Sequence, residues 1–246
     1  MGARQMAETG LMVDVSPDGP GMYDAFAEEY VQHASDGAFN ALYDRPAVLA
    51  VLGAVQGQAV LDLGCGPGLY AEELVARGAR RIVGVDGSAE MVRLARERVR
   101  GPASFYCQDL QAPLTWADDG EFELAVMPLV IHHLDDRVAA LNEIARVLRP
   151  GGRLVVSTHH PTSDWVRHGG SYFTVDRIRE RWRRGWEIAY WRQPLEATCD
   201  EFTSSGFLIE RLHEPRPSAA MRERDPDVAE WLSINPGFIV FSLVRS

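Results

Sequence analysis

Within seven positions the chain places Asp62, Gly64, Cys65, Gly66 and Gly68, in the string Asp-Leu-Gly-Cys-Gly-Pro-Gly. Closely spaced glycines let a backbone turn sharply and let a ligand touch the main chain. A helix that starts after such a turn offers free N–H groups to an anionic group. A dinucleotide fingerprint would need glycine at position 69, where the chain has Leu69. Asp62 also argues against a pyrophosphate, which it would repel, and for a sulfonium or ammonium, which it would attract. Asp86 stands 24 residues further on and suits a pair of ribose hydroxyls; Asp109, after Gln108, suits an adenine amino group. Together these residues describe a site for a cationic nucleoside. Each acid also has a plainer reading, as a surface carboxylate at a strand end or a helix cap.

A second group of residues could move protons. His132 and His133 form one pair and His159 and His160 another, each just after an apolar run. With Tyr30 and Glu29, His132, His133 and His160 are the candidates for a general base. Adjacent histidines lack the i, i+4 spacing of a helical zinc site, so no metal is expected. The three cysteines are few and scattered, which fits neither a disulfide frame nor a zinc site. Cys65 reads as a small residue that fits its turn.

The elements that must hold these residues alternate. Apolar runs at residues 58–63, 81–86, 103–108, 122–127 and 153–158 read as buried strands. Between them, residues 69–77, 88–99 and 135–148 carry helical spacing. Ser88 caps the second of these, and Gly78 and Pro150-Gly151-Gly152 end the first and third. Strands separated by helices predict a parallel sheet with right-handed crossovers. Residues 23–43 also read as helical, as do 194–205, and two late strands follow at 207–211 and 238–245. The α/β reading gives residues 1–20 as a flexible tail and 21–246 as one domain. That domain carries an N-terminal cap over 21–56 and an insert over 160–192.

The insert reverses the charge of the rest. Residues 165–192 hold seven Arg against three acids in a chain of net charge −10. Arg forks suit carboxylate and phosphate, and the interleaved Trp182, Trp186, Tyr190 and Trp191 supply apolar walls. Arg179, Arg183 and Arg192 are therefore candidates to read an anionic acceptor. A solvated Arg face over a small apolar cluster, with residues 186–191 as an extra strand, accounts for the same composition.

The overall charge disfavours nucleic acid as a partner, since phosphate binding needs a basic surface. No apolar run approaches a membrane span, and the polar N-terminus has no apolar signal core, so a cytoplasmic protein is expected. All 25 basic residues are Arg, which points to codon bias in a GC-rich bacterial genome.

Taken together, 62–68, Val85-Asp86-Gly87-Ser88, Gln108-Asp109, 129–134 and 148–152 resemble the class I, Rossmann-like methyltransferases that use S-adenosyl-L-methionine, and within them the small "type 11" group. The resemblance is strong from Tyr23 to Thr158 and loose beyond. It implies a seven-stranded sheet in the order 3-2-1-4-5-7-6 with the last strand antiparallel and helices on both faces. It also implies that Tyr23 and Tyr30 sit on a cap helix over the cofactor, and that Gly87, Met91, Gln108, Leu110, Met127 and His132 help to line its site. The implied activity is methylation of a small-molecule acceptor, such as a bacterial specialised metabolite with a carboxylate, phenol or isoprenyl diphosphate. A non-catalytic module binding the same cofactor and a nucleotide-dependent oxidoreductase are the alternatives. Met127-Pro128-Leu129-Val130 lacks the Asn-Pro-Pro-Tyr loop of amino-methylating DNA enzymes, and Pro128 departs mildly from the family pattern.

Overall fold

The computed structural model describes residues 5–6, 12–13, 23–24, 27–181 and 185–246. The expected flexible tail falls largely outside them, as do Phe26 of the cap and Trp182 and Arg183 of the insert. Among the described residues of that tail, Gln5–Met6 pairs antiparallel with Met12–Val13.

Five parallel strands build the centre: β1 (Ala59–Leu63), β2 (Arg81–Asp86), β3 (Ala103–Cys107), β4 (Phe122–Pro128) and β5 (Leu148–His159). A two-stranded hairpin, β6 (Asp176–Arg181) and β7 (Glu187–Arg192), stands apart from the sheet, which β8 (Phe207–His213) and β9 (Phe238–Arg245) complete. The sheet runs β3-β2-β1-β4-β5-β9-β8. Counted within the sheet alone this is 3-2-1-4-5-7-6, and β9 lies antiparallel to β5.

Alternate residues of each strand face opposite sides, and both sides are covered. Val60, Ile82, Leu124, Val126 and Val155 pack under α2 (Arg45–Leu52), α3 (Leu69–Ala76) and α4 (Ala89–Arg98). Leu61, Leu63, Val85, Met127 and Val156 pack under α5 (Arg137–Val147) and α7 (Leu195–Ser204). β1 is buried along its whole length, as a central parallel strand must be. Its C-terminal end therefore lies at the middle of the sheet edge, where β1 and β4 diverge to opposite crossovers and a cleft opens.

The ends of the elements follow local chemistry. Ser88 accepts from the Met91 amide at 3.1 Å and caps α4. Asp136 caps α5 through the Ala139 amide at 2.9 Å, which starts that helix two residues later than the sequence pattern predicts. β5 begins at Leu148, not at 153, and runs through Pro150-Gly151-Gly152. A register shift opposite Phe122 and Leu124 absorbs the turn, and a side chain at Gly152 would meet the Arg149 carbonyl at 2.7 Å.

The predicted helix over 23–43 is divided. Helix α1 covers Ala27–Asp36, and a π turn at Asn40–Asp44 leads into α2. Besides α2, which lies past the predicted 23–43 span, three short helices escape the sequence pattern: α6 (Pro161–His168), α8 (Ala219–Arg224) and α9 (Pro226–Ile234). Each is too short for a clear apolar period. Each is nonetheless announced by its cap, from His160, Ser218 and Asp225 respectively. Tyr43, Met221, Leu232 and Phe238 form a third apolar cluster that ties α8 and α9 to the start of β9.

Candidate functional site

A cleft of about 900 Å³, open to solvent, lies at the C-terminal edge of the strands. Its floor is the turn between β1 and α3. Gly64, Gly66 and Gly68 all have positive φ, at 67°, 52° and 81°. A Cβ on Gly64 would lie 2.2 Å from Val130 Cγ2, and one on Gly68 would lie 2.8 Å from Val99 Cγ2. At Gly66 nothing stands within 4 Å: this glycine faces open space and leaves its backbone bare to the cleft.

Asp86 organises that turn. One carboxylate oxygen accepts from the Gly66 amide at 2.8 Å and the other from the Ser88 amide at 2.9 Å. Burial raises its pKa to about 6 against the pull of these two bonds. Asp62 is completely buried, and neither of its oxygens meets a donor in good hydrogen-bond geometry. Burial, and then the charge of Asp86, push it up to about 7, although the Ala71 amide draws it downward. A buried carboxylate without a partner is costly. A cationic ligand bound above the turn would supply the missing counter-charge.

The other wall is built from distant segments. Tyr23 and Tyr30 both line the cleft, with rings 4.8 Å apart. Tyr30 lies in α1, whereas Tyr23 precedes the helix instead of sitting on it. Asp24 ties this segment down by accepting from the Ser88 hydroxyl. Tyr30 packs 6.4 Å from Trp186, just before β7, so the cap and the insert meet beside the cleft wall that Tyr30 forms.

His133 stands between them. Its Nδ1 lies 3.0 Å from the Ala189 carbonyl. A carbonyl only accepts, so Nδ1 carries the proton. Burial lowers the His133 pKa to about 4, and the charge of Arg177 adds to the effect. The ring is therefore neutral near pH 7, and Nε2 presents a lone pair 3.3 Å from the Tyr23 hydroxyl. At the end of β4, Pro128 and Leu129 also face the cleft. Leu129 is the one non-glycine with positive φ among the described residues, at 55°. Its amide is held by the Ser157 carbonyl at 2.9 Å. Such strain costs about 1–2 kcal/mol and persists where packing over-determines it.

Of the residues singled out in the sequence, Tyr23, Tyr30, Gly64, Gly66, Asp86, Gly87, Met91, Asp109, Leu110 and His133 line the cleft. Others sit elsewhere. Met127 is fully buried in the core beneath it. Cys65 is buried, and burial raises its thiol pKa well above the usual value. Gln108 spends its amide on the Pro113 carbonyl at 2.9 Å and the Trp116 indole at 2.8 Å, so it braces the loop. His132 is buried against Thr158 at 3.0 Å and stacks 4.4 Å from His159. His160 does not open onto the cleft as expected, because it caps α6 and lies 3.1 Å from Glu214. Glu29 is exposed and does not line the cleft, since α1 turns it away from Tyr30.

The insert also departs from expectation. Arg192 is occupied by Asp176, at 2.6 and 3.2 Å. Arg179 is exposed. The cleft receives Arg177 instead, along with Gln111, Leu134 and Ala189, which the sequence reading did not single out. Pairing within the hairpin is the missing signal: Asp176-Arg-Ile-Arg-Glu-Arg181 alternates charge, not hydrophobicity. Among the described residues no cluster of three or more His, Cys, Asp or Glu could hold a metal, and no helix is long and apolar enough to cross a membrane.

Residues 61–156 match the family model described as a methyltransferase domain. Trans-aconitate 2-methyltransferase of Azoarcus sp. is 43% identical over 99 residues, which are 39% of this chain and 37% of that protein. The chain thus spans little more than a third of that relative. A putative S-adenosylmethionine-dependent methyltransferase of Listeria monocytogenes superposes with a TM-score of 0.72 at 18% identity, over 82% of this chain and 96% of that one. The [4+2]-cyclase SpnF superposes with a TM-score of 0.65 at 20% identity, over 94% and 97%. At these identities the two structures speak for the fold.

Proposed function

We propose that this chain, which carries a class I, Rossmann-like methyltransferase domain, uses S-adenosyl-L-methionine to methylate a small organic acceptor in the cleft between its cap and its hairpin. The observation that carries this reading is the pairing of a bare glycine turn with two raised carboxylates, the buried Asp62 and the half-buried Asp86. That arrangement suits a cationic nucleoside and opposes a pyrophosphate. On this reading Asp86 meets the ribose, Asp109 and Leu110 the adenine, and the amides of the turn and of the α3 N-terminus the methionine carboxylate.

When bound, S-adenosylmethionine supplies an electrophilic methyl group whose sulfur leaves with the bonding electrons as a neutral thioether. The protein's own work is then to orient the acceptor in line with that bond and to keep water away. Tyr23 and Tyr30, the latter packed against Trp186, close one side of the cleft. His133 Nε2 takes the proton of an acceptor that must lose one. Its protonated ring is disfavoured by burial and by Arg177, so it passes the proton on to solvent. His132, locked to Thr158, holds the neighbouring turn.

A small acceptor, and not nucleic acid, is supported by the net charge of −10 and by a cleft walled on both sides. The division into a cap over 21–56, a core and an insert over 160–192 belongs to the same reading. A fold shared with a [4+2]-cyclase does not by itself fix the chemistry, so product analysis must. Calorimetry should show binding of S-adenosylmethionine and S-adenosylhomocysteine, and Asp86→Ala should weaken both by about 1–3 kcal/mol. No heat with either ligand, in folded protein, would end the proposal.

A further inference from the structure

The insert supplies Arg177 and Ala189 to the cleft, and its other Arg and aromatic residues need a separate account. Its exposed apolar side chains are concentrated. Trp165, Val166, Phe173 and Val175 are four of the ten large apolar residues exposed among the described ones, and they fall within eleven positions. They belong to the second half of α6 and to the turn that leads into β6. Phe173 is 73% exposed and Val166 60%.

That turn is braced. Gly169 and Gly170, with φ of 67° and 76°, reverse the chain. The Trp165 indole donates to the Gly170 carbonyl at 3.1 Å, and the Arg192 guanidinium donates to that of Gly169 at 2.9 Å. The Tyr172 hydroxyl accepts from the Leu195 amide at 3.1 Å, and the Ser171 hydroxyl accepts from the Phe173 amide at 3.2 Å. The Tyr172 ring meets those of Trp165 and Phe173 edge to face, at 6.4 and 5.4 Å. A turn fixed by its own bonds that still exposes this much apolar surface marks an interaction site.

Charge identifies the partner. Residues 165–192 carry seven Arg and three acids, a net +4 in a chain of net −10. Two of the acids are paired within the segment, Asp176 with Arg192 at 2.6 Å and Glu180 with Arg167 at 3.4 Å and His168 at 3.2 Å. Glu187 is exposed. Alternation along β6 puts Arg179 and Arg181 on the strand face of Arg177, and both are exposed. At about 0.1 M salt, charges are screened beyond about 10 Å. An approaching surface therefore meets the local positive charge and not the net charge of the chain.

We propose that residues 165–181 dock this protein on an anionic phospholipid surface. Phe173, Val166 and Val175 enter the acyl boundary, and Trp165 and Tyr172 stay at headgroup depth, where amphipathic rings settle. Arg167, Arg179 and Arg181 reach the lipid phosphates on their apolar stems. The apolar tip stands out from the surface. A folded partner would need a pocket cut to it, whereas a bilayer yields to it. The acidic remainder of the chain is repelled by the same lipid, which turns the insert toward the bilayer. Arg177 follows Val175 by two residues and lines the cleft, so docking brings the cleft to the lipid. The docking stands whatever reaction the cleft carries out.

The test floats the full chain with vesicles of phosphatidylcholine alone and of phosphatidylcholine mixed with phosphatidylglycerol. Partition onto the mixed vesicles should be at least about ten-fold stronger, and should fall several-fold when salt is raised from about 0.1 M to about 1 M. Phe173→Ser should lower partition about ten-fold without moving Tm, and Phe173→Trp should keep it. Arg167→Gln combined with Arg181→Gln should lower it on the mixed vesicles only. Affinity for S-adenosylhomocysteine, measured without lipid, should be the same in all these variants. Three results overturn the proposal: no partition onto mixed vesicles at low salt, partition that Phe173→Ser leaves unchanged, or a monomer–dimer equilibrium in solution that Phe173→Ser abolishes. The last would give the patch to a second copy of this chain.

Discussion

The two walls of the cleft are made in different ways. The wall at β1 and β2 is continuous chain: a strand, three glycines, a helix, then a second strand whose last residue, Asp86, reaches back to the Gly66 amide. Its geometry is set by backbone conformation within a few dozen residues. The wall formed by the cap, the loop after β4 and the hairpin is assembled from segments 56 to 156 positions apart, joined by Tyr23–His133, His133–Ala189 and Tyr30–Trp186 contacts. A methyl donor is the same molecule in every enzyme that uses it, and a fixed backbone cradle serves it. An acceptor differs, and a wall of side chains on separable segments can change without disturbing the cradle.

The strongest way to break this contrast is at the glycines. Gly64→Ala places a methyl group 2.2 Å from Val130 at a φ of 67°. It should cost about 1–2 kcal/mol in backbone strain, with about 1–3 kcal/mol more from overpacking, and abolish measurable cofactor binding. Gly66→Ala meets nothing within 4 Å, so only the strain applies to folding. Its Tm should fall much less than that of Gly64→Ala, while cofactor affinity still drops, because the added methyl occupies space the ligand needs. Equal thermal shifts for the two variants would mean that Gly66 is no ligand contact.

On the other wall the leverage is kinetic. His133→Asn retains an amide donor for the Ala189 carbonyl but has no basic nitrogen. For an acceptor that must lose a proton, kcat should fall by about 10²–10⁴, with S-adenosylhomocysteine affinity unchanged. Parallel losses in both would show that His133 supports the cofactor and that the two walls are not separable. Unchanged kcat would assign the proton to another group.

This division also governs what the sequence discloses. The cradle is legible because its requirements are local: glycine where φ is positive, an acid at the next strand end, a capping Ser88. The sheet is legible because buried parallel strands read as unbroken apolar runs. The hairpin wall is not. Arg177 and Ala189 reach the cleft only through the pairing of β6 with β7, and nothing in Asp176–Arg181 distinguishes the arginine that faces the cleft from the ones that face solvent. Arg192 was the more conspicuous candidate, at the end of an aromatic run, yet Asp176 sixteen residues earlier takes its fork. For the same reason His160 and Glu29, plausible by residue type and neighbourhood, are turned aside by a helix cap and a helix face. Residue type narrows the choice of a proton acceptor to a few groups, and only the register of distant segments selects among them.

The smallest expected effect concerns charge on the cradle alone. Asp62 and Asp86, with pKa values raised to about 7 and about 6, hold protons in the folded protein that the unfolded chain releases near pH 4. They therefore make the ligand-free protein less stable as pH rises through 6–7. His133, lowered to about 4, acts in the opposite sense between pH 4 and 6.5, so the carboxylates are read cleanly only above pH 6.5. A bound cation draws both carboxylate pKa values back down, which means that binding expels protons at low pH and that affinity rises with pH until the carboxylates are ionised. S-adenosylmethionine carries a sulfonium that S-adenosylhomocysteine lacks, and the rest of the two ligands is alike. Between pH 5.5 and 7.5 the affinity for S-adenosylmethionine should therefore rise by several-fold more than that for S-adenosylhomocysteine. Asp62→Asn should remove most of that difference, and Arg177→Gln, on the other wall, should not change it. Parallel pH profiles for the two ligands would place the sulfonium beyond the reach of Asp62, and the carboxylate's burial would then belong to the folding of the turn instead of to recognition of charge.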